Sequence, residues 1–107
     1  MTVSMESPLT MEQMLQTIRT GLPKTVEPKK IIIVGAGISG LVTASLLKEA
    51  GHDVTVLEGN NRVGGRIFTN RTSFYAGQYM ENGAMRIPSI HLLVIEYIHK
   101  FNLPIEE

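Results

Sequence analysis

The sequence predicts an α/β fold, a parallel strand–helix–strand unit preceded by an amphipathic helix. Three observations predict it. Lys30-Ile31-Ile32-Ile33-Val34 is a β-branched apolar run, and Gly35-Ala36-Gly37-Ile38-Ser39-Gly40 follows it without a gap. After a helix-forming stretch, Asp53-Val54-Thr55-Val56-Leu57 is a second such run, and it closes on Glu58. Short β-branched runs of this kind read as strands of a parallel sheet, buried on both faces.

The elements follow in chain order. Met1 to Pro8 reads as loose. Thr10-Met11-Glu12-Gln13 has the capping-box pattern, with the Thr10 hydroxyl and the Gln13 side chain placed to satisfy free amides at a helix start. Met11, Met14, Leu15 and Ile18 then fall at i, i+3, i+4 and i+7, one apolar stripe. Gly21 caps its end and Pro23 stops propagation. The stripe is a packing face, expected to dock on another part of a larger protein. Pro23 to Pro28 is a linker into the first strand. Leu41 to Ala50, rich in Ala and Leu, is the helix between the strands, and Gly51 ends it.

The glycine spacing has a mechanical cause. The chain must leave a strand, turn sharply and enter a helix beside a pyrophosphate. Gly35 makes the turn, Gly37 lets the backbone approach the phosphates, and Gly40 lets the helix pack close to the strand. The pattern therefore predicts a Rossmann-like dinucleotide-binding unit. Glu58 lies 18 positions after Gly40, near the ~20 expected for the ribose-binding acid. A carboxylate there accepts hydrogen bonds from ribose hydroxyls and repels a 2′-phosphate, so NADP is disfavoured. Lys29 and Lys30 stand at the beginning of the strand, the end far from the pyrophosphate, and read as solvated charges.

Beyond Glu58 the pattern is less regular. Arg62-Val63-Gly64-Gly65-Arg66 is a second glycine segment. Ile67-Phe68-Thr69 reads as a short strand and Ser73 to Tyr79 as another. Asn82 to Pro88 is a loop. Ser89 is expected to cap a helix running to about Phe101. Its stripe is Ile90, Leu93, Val94, Tyr97, Ile98 and Phe101, with Asn102 and Pro104 ending it.

Composition excludes several function classes. The 107 residues carry equal numbers of acids and bases, a formal net charge of zero. That argues against a general electrostatic grip on nucleic acid or on an anionic membrane. The absence of cysteine removes disulfides, thiol catalysis and thiolate metal sites together. His52, His91 and His99 are scattered, so no metal site is expected. No stretch approaches the ~18 apolar residues of a membrane span. The N-terminus has no basic region followed by an apolar one, so no signal peptide is expected and a cytoplasmic location is the default.

These motifs together carry a resemblance. The segments Gly35-Ala36-Gly37-Ile38-Ser39-Gly40-Leu41, Val54-Thr55-Val56-Leu57-Glu58 and Arg62-Val63-Gly64-Gly65-Arg66 resemble the flavin-containing amine oxidase group. The double-glycine arginine segment points to FAD, not to free NAD. Monoamine and polyamine oxidases share those motifs. Gly83-Ala84-Met85-Arg86-Ile87-Pro88, followed by Glu96-Tyr97-Ile98-His99-Lys100-Phe101, is more similar to L-amino acid oxidases and tryptophan monooxygenases. The first helix, with Leu15, Arg19, Gly21 and Leu22, also resembles the N-terminal helix of L-amino acid oxidases. The resemblance runs from about Thr10 to the end, and Gly59 and Gln78 are minor departures.

The resemblance implies roles. Ile38 and Ser39 would contact the FAD phosphates through backbone and hydroxyl, with Gly35, Gly37 and Gly40 in the same cofactor site. Glu58, with Gly59 beside it, would hold the adenosine ribose. Arg66 would reach the cofactor near its phosphates or flavin, and Arg62, Gly64 and Gly65 would belong to the cofactor site with it. Gly83, Ala84 and Met85 would lie along the flavin, and Arg86, also counted at the cofactor, would bind the substrate carboxylate. A planar guanidinium suits that last task, because it makes two parallel hydrogen bonds to a carboxylate. From the residue type alone, a structural pair with Glu81 is the alternative.

The implied activity is oxidative deamination of an L-amino acid to a 2-oxo acid, ammonia and hydrogen peroxide. A tryptophan monooxygenase-like outcome, another flavin amine oxidase, and a non-catalytic dinucleotide-binding module or subunit are the alternatives. The expected organisation is an N-terminal extension over 1–28 and a partial FAD-binding domain over 29–107. The family's substrate-binding helical domain and its other active-site residues are expected beyond Glu107, in the rest of a parent polypeptide or a second subunit. Two parallel strands would leave open edges and an apolar sheet face, which predicts a homo-oligomer or a partner chain.

Overall fold

The computed structural model describes residues 8–106. The expected loose start lies outside the described residues, apart from Pro8. The elements are α1 (Met11–Thr20), β1 (Lys30–Val34), α2 (Ile38–Glu49), β2 (Asp53–Leu57), β3 (Thr69–Asn70), β4 (Met80–Glu81) and α3 (Leu92–Lys100). They divide into two compact units, Leu22–Arg86 and Met1–Gly21 with Ile87–Glu107. This division differs from the boundary expected after residue 28, because α3 falls with α1 and not with the strands.

In the unit Leu22–Arg86, β1 and β2 pair in parallel, from Lys30 opposite Asp53 to Val34 opposite Leu57. The crossover helix α2 packs on both strands. Ile31, Ile33, Val54 and Val56 are half-buried. Strand side chains alternate between faces, and the other set is open: Ile32 is 66% exposed and Val34 85%. The strand composition predicts cover on both faces. A single crossover helix supplies cover on one, so the apolar outer face stands open, as expected for an isolated pair.

The linker is tied to the far end of this unit. The Lys24 ammonium donates to the Glu49 carbonyl at the end of α2. The Thr25 amide donates to the Ala50 carbonyl at 2.8 Å. These contacts satisfy carbonyls that a helix end leaves free. Gly51 (φ 104°) then turns the chain into β2. His52 accepts the Lys29 amide through Nδ1 at 3.2 Å.

The later strands differ from expectation. The antiparallel pair β3–β4 is two residues long, with Thr69 opposite Glu81 and Asn70 opposite Met80. Thr69 begins β3 where a strand over Ile67–Thr69 was expected. Ser73 to Tyr79 is not a strand: Ala76 (φ 55°) and Gly77 (φ 73°) are left-handed, which breaks an extended run.

In the other unit, α1 packs against α3. The capping box of α1 forms in both directions. Thr10 Oγ1 accepts the Gln13 amide at 3.2 Å, and Gln13 Oε1 accepts the Thr10 amide at 2.8 Å. Gly21 (φ 80°) ends the helix, its amide on the Thr17 carbonyl. Ile18 and Ile98 are the buried side chains of the pair. Met14, Leu15, Leu93, Val94 and Tyr97 are half-buried beside them. Ser89 does not cap α3. A turn with the His91 amide on the Pro88 carbonyl at 2.9 Å delays the helix, and His91 stands at the N-cap. The ends of the expected stripe accordingly lie outside the helix: Ile90 is 79% exposed, and Phe101 is also exposed.

Two polar contacts join these helices. Arg19 meets Glu96 in a fork, Nε to Oε1 at 2.7 Å and Nη2 to Oε2 at 3.2 Å. Lys100 Nζ donates to the Ile18 carbonyl at 2.8 Å. The Arg19 hydrogen bond, with its charge, holds the Glu96 carboxyl below the usual range against the opposing effect of burial. A depressed carboxyl contributes stability above its unfolded value, about 4.3, and loses it as pH falls through the folded value. Acidification across that window should therefore lower the melting temperature of the protein more than that of Glu96→Gln. Parallel pH profiles of the two proteins would contradict the pairing.

Candidate functional site

The site lies at the carboxyl ends of β1 and β2, where the two strands release their loops side by side. Gly35 leaves β1 at φ 102°, with its amide on the Leu57 carbonyl at 2.7 Å. The bond ties the first turn to the end of the second strand. A Cβ on Gly40 would overlap the Gly35 carbonyl oxygen, so only glycine lets α2 sit this close. Gly37 differs from both. Its φ of −77° suits any residue, and a Cβ there would meet no protein atom within 4 Å. Neither conformation nor packing within the chain requires glycine at 37. What glycine preserves is room above the backbone. No side chain caps α2, so its first amides are free to face that room.

Glu58 follows β2 and is half-buried. Oε2 accepts the Ala36 amide at 2.8 Å, and Oε1 accepts the Asn60 amide at 3.1 Å. Ala36 itself is buried. The Ala36 bond, then the Asn60 bond, hold the carboxyl below the usual glutamate range, with smaller help from the Gly59 amide and the Arg62 charge. A carboxylate has about four acceptor sites, so two amides leave capacity for hydroxyl donors such as those of a ribose.

The segment Arg62–Arg66 folds back onto the first loop. The Gly64 amide donates to the Ala36 carbonyl at 2.8 Å. Gly64 (φ 109°) and Gly65 (φ 56°) make this possible. A Cβ on Gly64 would stand 2.7 Å from the Ile67 carbonyl oxygen. The Arg62 guanidinium turns onto its own loop, donating to the carbonyls of Gly65, Val63 and Ile67.

The loop before Arg86 joins the same cluster. The Asn82 amide donates to the Phe68 carbonyl at 2.8 Å and the Ala84 amide to the Arg66 carbonyl at 3.2 Å. A Cβ on Gly83 would overlap that same Arg66 oxygen. Met85 and Arg86 are exposed. The alternative pairing of Arg86 with Glu81 does not form. Glu81 accepts the Thr69 hydroxyl instead, at 2.7 and 2.9 Å. Among the described residues, Arg86 makes no ion pair.

Between these loops lies a cleft of about 540 Å³, lined by Val34, Gly35, Gly37, Ile38, Ser39, Gly40, Asn60, Gly64, Gly65, Arg66 and Ile67. Eight of the expected cofactor residues thus line one cleft, Gly35, Gly37, Ile38, Ser39 and Gly40 from the first loop and Gly64, Gly65 and Arg66 from the second. Glu58, Gly59 and Gly83–Arg86 are not among the lining residues, and of these Gly83 and Ala84 lie against the Arg66 carbonyl. Arg62 is also outside the lining. Asn60 is a lining residue that the motifs do not mark. Its only signal is position, two residues after the acid. A second hollow, over Phe74 and Ala76–Met80, holds none of the expected residues. No cluster of three His, Asp or Glu that could hold a metal ion occurs among the described residues. No described helix is long and apolar enough to cross a membrane.

A parallel βαβ unit with a glycine-lined cleft at its carboxyl edge defines an α/β protein of the nucleotide-binding class. Residues 38–107 match the family described as flavin containing amine oxidoreductase, and the chain belongs to that family. Its cofactor is FAD. The chain is 53% identical over 93 residues to the putative L-amino-acid oxidase YobN of Bacillus subtilis (strain 168), a match covering 87% of this chain and 20% of that protein. It is 51% identical over 96 residues to the L-amino-acid oxidase of Vipera ammodytes ammodytes, covering 90% of this chain and 20% of the relative. Among solved structures, a putrescine oxidase variant redesigned in cofactor binding matches with a TM-score of 0.63 and 33% identity, over 72% of this chain and 17% of that one. The chain therefore spans about a fifth of the length of these curated relatives. The free amides at the start of α2 and the space above Gly37 fit the cofactor's phosphates.

The Glu58 contact yields a test. Its carboxyl is depressed, so the hold on Ala36 is complete above the unfolded value of about 4.3 and is lost as pH falls through the folded value. NMR titration should find Glu58 ionising below the ordinary glutamate range, and Glu58→Gln should speed hydrogen exchange at the Ala36 amide. A Glu58 titration at or above that range would contradict the contact.

Proposed function

We propose that this chain supplies the FAD-binding N-terminal segment of a flavin-dependent L-amino acid oxidase. The observation that carries the reading is the loop Gly83–Arg86, tied to Arg66 through its backbone and bearing an exposed guanidinium without an ion-pair partner among the described residues. The high identity to proteins named L-amino-acid oxidase over about nine-tenths of the chain supports the same reading.

In this reading Ile38 and Ser39 hold phosphates through the backbone and hydroxyl at the start of α2. Gly37 leaves room for them, and the positive end of the helix favours their charge. Glu58 takes the adenosine ribose with its remaining acceptor sites, beside Gly59. Gly64, Gly65 and Arg66 form the opposing wall. Gly83, Ala84 and Met85 would border the flavin. FAD, when bound, would supply the redox chemistry of the oxidation. Arg86 receives the substrate carboxylate in two parallel hydrogen bonds, which fixes the orientation of the Cα–H bond. Overall, an L-amino acid, water and oxygen give a 2-oxo acid, ammonia and hydrogen peroxide. The other substrate-binding residues belong to the remainder of the parent protein.

Arg86→Ala in the full-length protein tests the assignment. Loss of two charge-assisted hydrogen bonds should raise KM for L-amino acids roughly 100-fold. FAD content, read from flavin absorbance after gel filtration, should stay at the wild-type level. The preference for an amino acid over the corresponding amine without a carboxylate should collapse. An unchanged KM and an unchanged preference would overturn the carboxylate role.

A further inference from the structure

Two arginines flank the double glycine, and the structure gives them different surroundings. Arg66 lines the cleft. Arg62 does not, and its side chain is turned onto the loop itself. Nη2 donates to the Gly65 carbonyl at 2.6 Å. Nη1 reaches the Val63 carbonyl at 3.2 Å and the Ile67 carbonyl at 3.4 Å. The guanidinium carbon lies 4.3 Å from the centre of the Phe68 ring.

We propose that Arg62 is a positioning residue, a clamp that shapes the second wall of the FAD cleft without touching the cofactor. The proposal rests on the reading of the cleft as the FAD site. Its physical basis is the crowding of carbonyl dipoles in a left-handed loop. Gly64 and Gly65, both at positive φ, turn the carbonyls of residues 63, 65 and 67 toward one another. Unneutralised, they would repel one another. One planar cation with five donors satisfies all three while its face rests on an aromatic ring. With those carbonyls engaged, the Gly64 amide is left pointing at the Ala36 carbonyl, which docks the wall on the first loop. A lysine ammonium is a point charge without the fork or the flat face, so it cannot replace the clamp.

The test compares Arg62→Ala, Arg62→Lys and Arg66→Ala in the full-length protein. The first readout is amide hydrogen exchange in the cofactor-free protein, at Gly64 and at Ile67. The Ile67 amide donates to the Gly64 carbonyl at 3.0 Å. The second readout is the FAD dissociation constant. Both Arg62 substitutions should speed exchange at these amides about tenfold and weaken FAD binding about tenfold or more. Arg66→Ala should weaken FAD binding and leave exchange unchanged. Weakened binding by Arg62→Ala with wild-type exchange would overturn the proposal in favour of direct contact. Wild-type affinity in Arg62→Lys would overturn it in favour of charge alone. Exchange at the β1 amides reports that the fold is intact. If Arg62→Ala loses that protection, Arg62→Lys carries the comparison. Absence of FAD binding in the unmutated protein would refute the FAD reading, and the exchange rates would still decide the clamp.

Discussion

One hydrogen bond joins the two halves of the site, from the Gly64 amide to the Ala36 carbonyl at 2.8 Å. Ala36 is held from both sides of its peptide units. Its carbonyl takes Gly64, and its amide goes to Glu58. A turn that would otherwise be a mobile glycine loop thus has its acid and its second wall attached at a single buried residue. The cleft exists because three glycines near this point have different tasks. Gly35 supplies a backbone angle, Gly40 supplies close packing, and Gly37 supplies space. Parallel pairing is the prior condition. Since β1 and β2 run the same way, both release their following loops at the same edge.

The same topology explains the exposed apolar surface. A parallel sheet needs helices on both faces, and this chain contributes one crossover helix. Ile32, Val34 and Leu57 remain open on the other face. An apolar face of this kind is what the remainder of an α/β domain would bury, consistent with a chain that spans about a fifth of its curated relatives. The helix pair α1–α3 is a separate compact unit with its own small core at Ile18 and Ile98 and its own ion pair.

Elements with strong local causes were legible in the sequence. The strands β1 and β2 begin and end where the β-branched runs do. The limits of α1 follow from a reciprocal cap at Thr10 and a left-handed glycine at 21. Segments set by local turns that no motif marks were not. The stretch Ser73 to Tyr79 has strand composition, but two left-handed residues bend it, and only one of them is a glycine. Ser89 has a good capping side chain, yet the turn at Pro88 places His91 at the helix start. In the site, the glycines and Glu58 were marked by spacing. The inward turn of Arg62 was not, because the residue type suits an anion contact as well as a carbonyl clamp. Asn60 carried no motif at all.

Gly37 offers the most direct test of the central claim, that the cleft between these loops holds FAD. Its backbone conformation suits any residue, and a Cβ there meets no protein atom. Gly37→Val should therefore fold as the unmutated protein does, while filling the space reserved for phosphate. The measurement is a titration of FAD followed by flavin fluorescence, with NADP as competitor. The expected result is saturable one-to-one binding that NADP does not displace, and loss of that binding in Gly37→Val with the far-ultraviolet circular dichroism unchanged. Equal FAD affinity in the folded Gly37→Val protein would contradict it.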